Sequence, residues 1–484
     1  MVKTVLAAIC LTLAPVTFAP VTFAPVTFAP VTSVPASVPA SVPASVSAYV
    51  ERYRAATGLP GVAVAITRQG EVVHTAGYGE TAAGEPVTAG TPMAVASVSK
   101  SFTALAVLRL AEQGKLALDQ PVRRYLPEFT MADPRAGRIT VRMLLDQTSG
   151  MADAAFREKS LPQPDTLRGA VARLRTAKLA ADPGTAFSYH NTNYQVAARL
   201  VEVVGGRPFA DHLAAHVFEP LGMRHTTTID TDRDLPGTAR GHLYVLGRAV
   251  ALPEPAAFGN GSGGVISTAD DMARWLIAQN AGLPGLLSPQ GVKEMRTGSE
   301  PNRDYALGWQ LGTTDGGTPV LEHGGDLFTS TAYQVVMPGS GYGIAVMANT
   351  GMAFSDAETL MRGLVAIVEG GTPQVPGGRP TLLTDMLFAL LTLATIALAA
   401  RGSVRARRWA ARRTGWRRWR LVPYLAPLML CATLEPVHRY LARGRDAAFV
   451  QLAYLYPTFM IWLVTAAAAG LTVIAARLWS GARR

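Results

Sequence analysis

Residues 92–110 read PMAVASVSKSFTALAVLRL, and the four in the middle, Ser97-Val98-Ser99-Lys100, decide the fold. An extended run, Pro92 to Ala96, gives way there to the apolar segment Phe102 to Leu110. On a helix, residues three apart share a face, so Ser97 and Lys100 point the same way, hydroxyl beside amine. A serine hydroxyl is a poor nucleophile until a group within hydrogen-bond reach takes its proton. A lysine can take it when burial disfavours the ammonium, and Phe102, Leu105, Ala106, Leu108 and Leu110 predict a buried helix. At a helix start, the N–H of Ser97 can also face a developing oxyanion.

Two further stretches complete a constellation. In FSYHNTNYQVAARLVEVVGG, from Phe187, Tyr189 and Asn191 lie two apart ahead of a helical run. In an extended stretch such side chains face the same side, offering a phenol for proton relay and an amide for a substrate carbonyl. Further on, Glu322-His323-Gly324-Gly325-Asp326 precedes a strand-like alternation from Ala332 to Met337. The two glycines leave the backbone bare for a substrate to lie against, and the N–H of Asp326 is placed to complete an oxyanion hole. From composition, the three motifs are expected by chance roughly 0.25, 0.17 and 0.07 times, so finding all three in this order is specific.

On these motifs the chain resembles the serine β-lactamase and penicillin-binding-protein superfamily, in its class C and esterase-like branch, where SxxK, YxN and a KTG or HxG element recur in this order. The stretches LLDQTSGM (144–151), VFEPLGM (217–223), GSGGVISTADDMARW (261–275) and YALGWQL (305–311) strengthen the likeness, which covers residues 48–370. The resemblance implies Ser97 as acylated nucleophile, Lys100 as its proton acceptor and Tyr189 as the partner base that also serves deacylation. It implies Asn191, His323, Gly324, Gly325 and Asp326 as substrate-binding, with the N–H groups of Ser97 and Asp326 as the oxyanion hole. His323 stands where many relatives carry lysine. Asp146-Gln147 stands where they often read Thr-His, and this second departure is read as local packing.

The implied fold is α/β (α+β): a mixed antiparallel sheet flanked by helices, with strand pairs near both ends of residues 48–370 around a helical lobe. Outside this domain the composition changes. Residues 1–19 read as a signal peptide, with Lys3 ahead of an apolar run. Ile9 before Cys10 argues against a lipid-modified cysteine. Residues 20–47 hold APVTF and VPAS repeats, read as an extended spacer. After a linker, 371–380, three apolar segments (381–400, 421–435 and 451–476) are expected to span a membrane.

Residues 401–420 hold 9 arginines and no acid, which the positive-inside rule places in the cytoplasm, leaving the catalytic domain extracytoplasmic in a multi-pass membrane protein. Residues 381–484 carry 15 Arg, no Lys and 3 acids, a net +12 out of +11 for the whole chain. The remainder is therefore close to neutral and has no basic footprint for nucleic acid. The expected partners are membrane lipid and a small-molecule or short-peptide substrate, cell-wall-derived compounds among the candidates. No Cys/His cluster has metal-ligand spacing, so neither metal nor organic cofactor is expected. The reading is a serine hydrolase acting on an ester, a D-amino-acid peptide or a β-lactam. The rival is an acylated sensor or binding protein signalling through the transmembrane segments.

Overall fold

The computed structural model describes residues 41–378, 381–412 and 415–482. The expected signal peptide and most of the expected repeat spacer lie outside the described residues. The rest falls into two compact units, one of residues 41–243 with 249–378 and one of 381–482 with the hairpin tip Tyr244–Arg248. Helices longer than ten residues and strands of the main sheet are numbered below in chain order.

The first unit is built on a six-stranded sheet: β1 (Gly61–Arg68), β2 (Glu71–Gly79), β3 (Gln310–Thr313), β4 (Pro319–Asp326), β5 (Thr331–Met337) and β6 (Tyr342–Ala348). Its order is β2-β1-β6-β5-β4-β3, and the pairings are antiparallel. Both chain ends of the domain thus meet in the middle of one sheet, where Val64 stands opposite Val346.

The central strands are covered on both faces, which is why they read as unbroken apolar runs. Along β1, Val62, Val64 and Ile66 pack with helices α1 (Ser41–Thr57) and α5 (Asp356–Val368). Ala63 and Ala65 face the larger core shared with α2 (Ser99–Glu112), α3 (Asn191–Gly205) and α4 (Ala269–Asn280). Between β2 and β3 the chain forms the helical lobe.

The repeat spacer read over 20–47 ends earlier than its composition suggests. Helix α1 begins at Ser41, and Val42 and Val46 are buried. Pro43 falls in the first turn, where backbone N–H groups have no helical partner to lose.

In the second unit three helical stretches are long and apolar enough to cross a membrane: Leu382–Val404, Trp419–Leu441 and Pro457–Ala482, with mean hydropathy 2.1, 1.2 and 2.1. The first is α6, the second contains α7 (Ala426–Leu441), and the third is α8. The third begins later than the expected 451, because the short helix Phe449–Leu455 stops before Pro457, which starts α8 afresh.

Candidate active site

Ser97 lies in a 3-10 turn, Ala96–Val98, that leads directly into α2 at Ser99. The residue before it, Ala96, has φ +47°, a left-handed conformation that a residue with a Cβ seldom adopts. The strain sits immediately next to the candidate nucleophile. Lys100, one turn on, is 0% exposed. Its Nζ lies 3.0 Å from Ser97 Oγ, 3.0 Å from Asn191 Oδ1 and 2.7 Å from the carbonyl oxygen of Ser262.

This set of contacts suits both protonation states. As an ammonium, Lys100 donates to all three oxygens. As an amine, it donates to Asn191 Oδ1 and the Ser262 carbonyl, which can only accept, and turns its lone pair to the Ser97 hydroxyl. Proton transfer between Ser97 and Lys100 therefore needs no rearrangement of the other two bonds. The start of α2 is tied to the segment that supplies the carbonyl: Thr103 Oγ1 donates to Gly261 O at 2.7 Å, and the N–H of Val265 donates to Ser99 Oγ at 2.9 Å.

Tyr189 is half-buried, and Lys100 Nζ lies 4.8 Å from the centroid of its ring. Two bonds from one residue fix the loop on either side of it. The N–H of Ser188 donates to Gln147 O at 2.9 Å, and the N–H of His190 donates to Gln147 Oε1 at 3.0 Å. Asn193 Nδ2 donates to the same Oε1 at 2.6 Å. The sequence reading took Gln147 as local packing; the structure makes it the brace of the Tyr189 loop.

Asn191 opens α3, and both ends of its amide are engaged. Its Nδ2 donates to Glu158 Oε1 at 2.9 Å, which leaves Oδ1 facing Lys100. Thr192 Oγ1 donates to the other carboxylate oxygen at 2.8 Å. Burial raises the pKa of the Glu158 carboxyl, but His190, Lys159 and these hydrogen bonds outweigh it and hold the group below the ordinary range. A carboxylate that can only accept therefore sets which way the Asn191 amide points. In this arrangement Asn191 orients Lys100, where the sequence reading had it gripping substrate.

Strand β4 supplies the opposite wall. A Cβ on Gly325 would lie 2.3 Å from Val95 O and 3.0 Å from the nitrogen of Ser97, so only glycine lets the strand approach the Ser97 turn. Gly324 packs beside the ring of Tyr333, its would-be Cβ 3.1 Å away. At the strand's end the N–H of Leu327 donates to Ser330 O at 2.9 Å. Bonded and non-bonded pairs alternate along an antiparallel ladder, so the next pair, Asp326 with Thr331, turns the Asp326 N–H away from β5. Pairing with β3 stops at Glu322, leaving that edge of the strand open beside the site.

His323 is 2% exposed and sits behind the aromatic wall of the site. Its Nδ1 lies 2.6 Å from Gly324 O, which only accepts, so Nδ1 carries the proton and Nε2 accepts from Tyr305 Oη at 3.1 Å. Burial, and then the charge of Lys100, push its pKa down to about 3. The imidazole is accordingly neutral at physiological pH. The rings of Tyr189 and Tyr305 lie 6.2 and 5.9 Å from it.

The structure thus gathers the residues of all three motifs around Ser97. Sequence reasoning missed Tyr305, Gln147, the Ser262 carbonyl and Glu158. The first three lie inside stretches the sequence reading had singled out, whereas Glu158, in FREKS, has no local signal at all.

A serine hydroxyl within hydrogen-bond reach of a buried amine is an arrangement able to supply a nucleophile. The family model described as Beta-lactamase matches residues 46–367, and the chain belongs to this family, with a fold of the β-lactamase and transpeptidase type. Penicillin-binding protein 4 of Amycolatopsis lactamdurans is 31% identical over 340 residues, covering 64% of this chain and 86% of that protein. Protein flp of Staphylococcus aureus is 29% identical over 306 residues, and the match spans 60% of each chain. Among solved structures, the octameric penicillin-binding protein homologue from Pyrococcus abyssi aligns with TM-score 0.59 and 25% identity, over 72% of this chain and 81% of that one. The penicillin-binding protein from Bacillus halodurans aligns with TM-score 0.58 and 26% identity, over 66% and 98%.

Proposed function

We propose that this chain is a membrane-anchored, extracytoplasmic serine hydrolase that transfers an acyl group from its substrate to Ser97 and then to water. The observation that carries this reading is the 3.0 Å contact between Ser97 Oγ and the buried Nζ of Lys100, with Asn191 and Ser262 holding the amine in place. Lys100 accepts the hydroxyl proton as Oγ attacks the acyl carbon. The N–H groups of Ser97 and Asp326 receive the negative charge that develops on the carbonyl oxygen. Tyr189 passes a proton to the leaving group and, in the second half, draws one from the attacking water. No step calls for a metal or an organic cofactor.

The substrate preference follows from His323. A lysine there would carry a fixed charge for a substrate carboxylate; a neutral imidazole does not. Binding energy remote from the scissile bond raises turnover, so losing that charge disfavours carboxylate-bearing β-lactams and D-peptides relative to uncharged esters. A D-stereospecific amidohydrolase from Streptomyces has a similar fold, at 25% identity and TM-score 0.52, which supports keeping peptides beside esters in this reading. Short-chain esters, or peptides held by other contacts, are the proposed substrates.

A fluorophosphonate probe tests the nucleophile. Wild type is expected to be labelled, Ser97→Ala to lose the label, and Lys100→Ala to label far more slowly. Equal labelling of wild type and Ser97→Ala removes the assignment. Steady-state kinetics then test the preference: penicillins hydrolysed with higher kcat/KM than uncharged esters would overturn it.

A further inference from the structure

The membrane unit contains a cavity of about 900 Å³ at the arginine-bearing ends of α6 and α8. Four arginines line it from two helices: Arg401 in the last turn of α6, Arg405 at the cap that ends it, and Arg408 and Arg412 on the short helix Ala406–Arg412 that follows. A fifth cation, Arg477, enters from α8. Its guanidinium carbon lies 4.9 Å from the ring centroid of Trp409 and 4.8 Å from that of Tyr424, and its Nε is buried with no hydrogen-bond partner among the described residues. Gly402 allows this approach: a Cβ there would lie 3.2 Å from the Val473 side chain and 3.6 Å from Arg477 Nη2.

None of the described residues lining the cavity is acidic. Asp385 accepts from Thr458 Oγ1 and Glu435 from the N–H of Phe449, away from the cavity. The positive-inside rule explains why arginines follow an apolar span. It does not require four of them to converge on a cavity with a fifth from a helix some seventy residues later. Gathered guanidiniums repel one another, and an anion with several acceptor oxygens relieves this through charge-assisted hydrogen bonds. The remaining wall is apolar, with Leu398, Trp462 and Val473 leading from the arginines into the span.

We infer that this cavity binds the phosphate headgroup of an anionic membrane lipid, with the phosphate against the arginines and the acyl chains along the apolar wall. Basic pockets between membrane helices are suited to such headgroups. The inference stands independently of the hydrolase reading.

The test uses the full chain in mild detergent doped with equal amounts of phosphatidylglycerol and phosphatidylcholine, with retained lipid counted by native mass spectrometry. Wild type is expected to retain phosphatidylglycerol in clear preference. Arg477→Gln and Arg405→Gln should each weaken that retention about fivefold, the effect of one arginine beside a lipid phosphate. Arg407→Gln, on the same segment but outside the cavity, should leave it unchanged. Equal retention of the two lipids, or equal losses in Arg405→Gln and Arg407→Gln, would overturn the site. Displacement by inorganic phosphate would overturn the lipid and assign a free anion instead. Should Arg477→Gln fail to fold, the exposed Arg405 decides.

Discussion

Replacing Gly325 by alanine probes the wall that β4 makes against Ser97. The new Cβ would sit 2.3 Å from the carbonyl oxygen of Val95 and 3.0 Å from both Ala96 Cβ and the Ser97 nitrogen. Relieving the first contact requires the strand or the turn to move by about 1 Å, and both are backbone, with no flexible side chain to yield. Overpacking of this kind costs about 1–3 kcal/mol of stability. A displacement of about 1 Å between nucleophile and oxyanion donors costs on the order of 100-fold in rate. Gly325→Ala should therefore fold, melt slightly lower, and lose about 100-fold in kcat/KM on a nitrophenyl ester. Gly324→Ala is the control: its nearest neighbour is the Tyr333 ring at 3.1 Å, on the side away from Ser97, and its activity should fall far less. Stopped-flow acylation with the ester and thermal melts of both variants decide the matter. A Gly325→Ala enzyme within about threefold of wild type would refute the idea that close approach of β4 shapes the oxyanion site.

Glu158→Gln keeps the shape of the side chain but offers Asn191 and Thr192 a mixed donor and acceptor, so the Asn191 amide loses its fixed direction; kcat should fall about tenfold with little change in KM, and an unchanged kcat would count against the positioning role. Gln147→Ala leaves the His190 N–H and Asn193 Nδ2 without their acceptor and should cost about 2–4 kcal/mol in urea melts. Because Gln147 has φ +64°, Gln147→Gly should be the more stable of the two variants; the reverse order would contradict this account. His323, held at about 3 in the fold against about 6.5 in the unfolded chain, binds fewer protons when folded. Its contribution to stability is thus fully present above about pH 6.5 and is lost as pH falls towards 3. His323→Asn should flatten the acid limb of the stability curve, and an identical limb would argue against a neutral imidazole. The ester-to-penicillin ratio of wild type should stay constant from about pH 5 to 8 for the same reason. Tags placed within residues 48–370 should be reachable from outside intact cells, whereas protection of such tags would reverse the proposed orientation.

Much of this molecule is legible in its order of residues, for reasons that are local. The three-residue interval between Ser97 and Lys100 and the Gly324-Gly325 pair act through the geometry of a turn and a bare strand, which neighbours in sequence suffice to specify. The two-sided burial of β1 and β6 shows in their unbroken apolar runs, and the three membrane candidates show in length and composition. The functional states of these groups came only from tertiary structure. The carbonyl that holds Lys100 belongs to Ser262, the carboxylate that turns Asn191 belongs to Glu158, and the brace of Tyr189 is Gln147, each brought in from a distant part of the chain. His323 could be recognised as a departure from lysine by its place in the motif, but its neutrality depends on burial and on the charge of Lys100. Likewise the arginines after α6 announce a membrane boundary in any order, while their convergence with Arg477 around one cavity depends on how α6 and α8 pack. Desolvation and the direction of a hydrogen bond are properties of what surrounds a group in space, and spacing along a chain encodes that only within a turn or a strand.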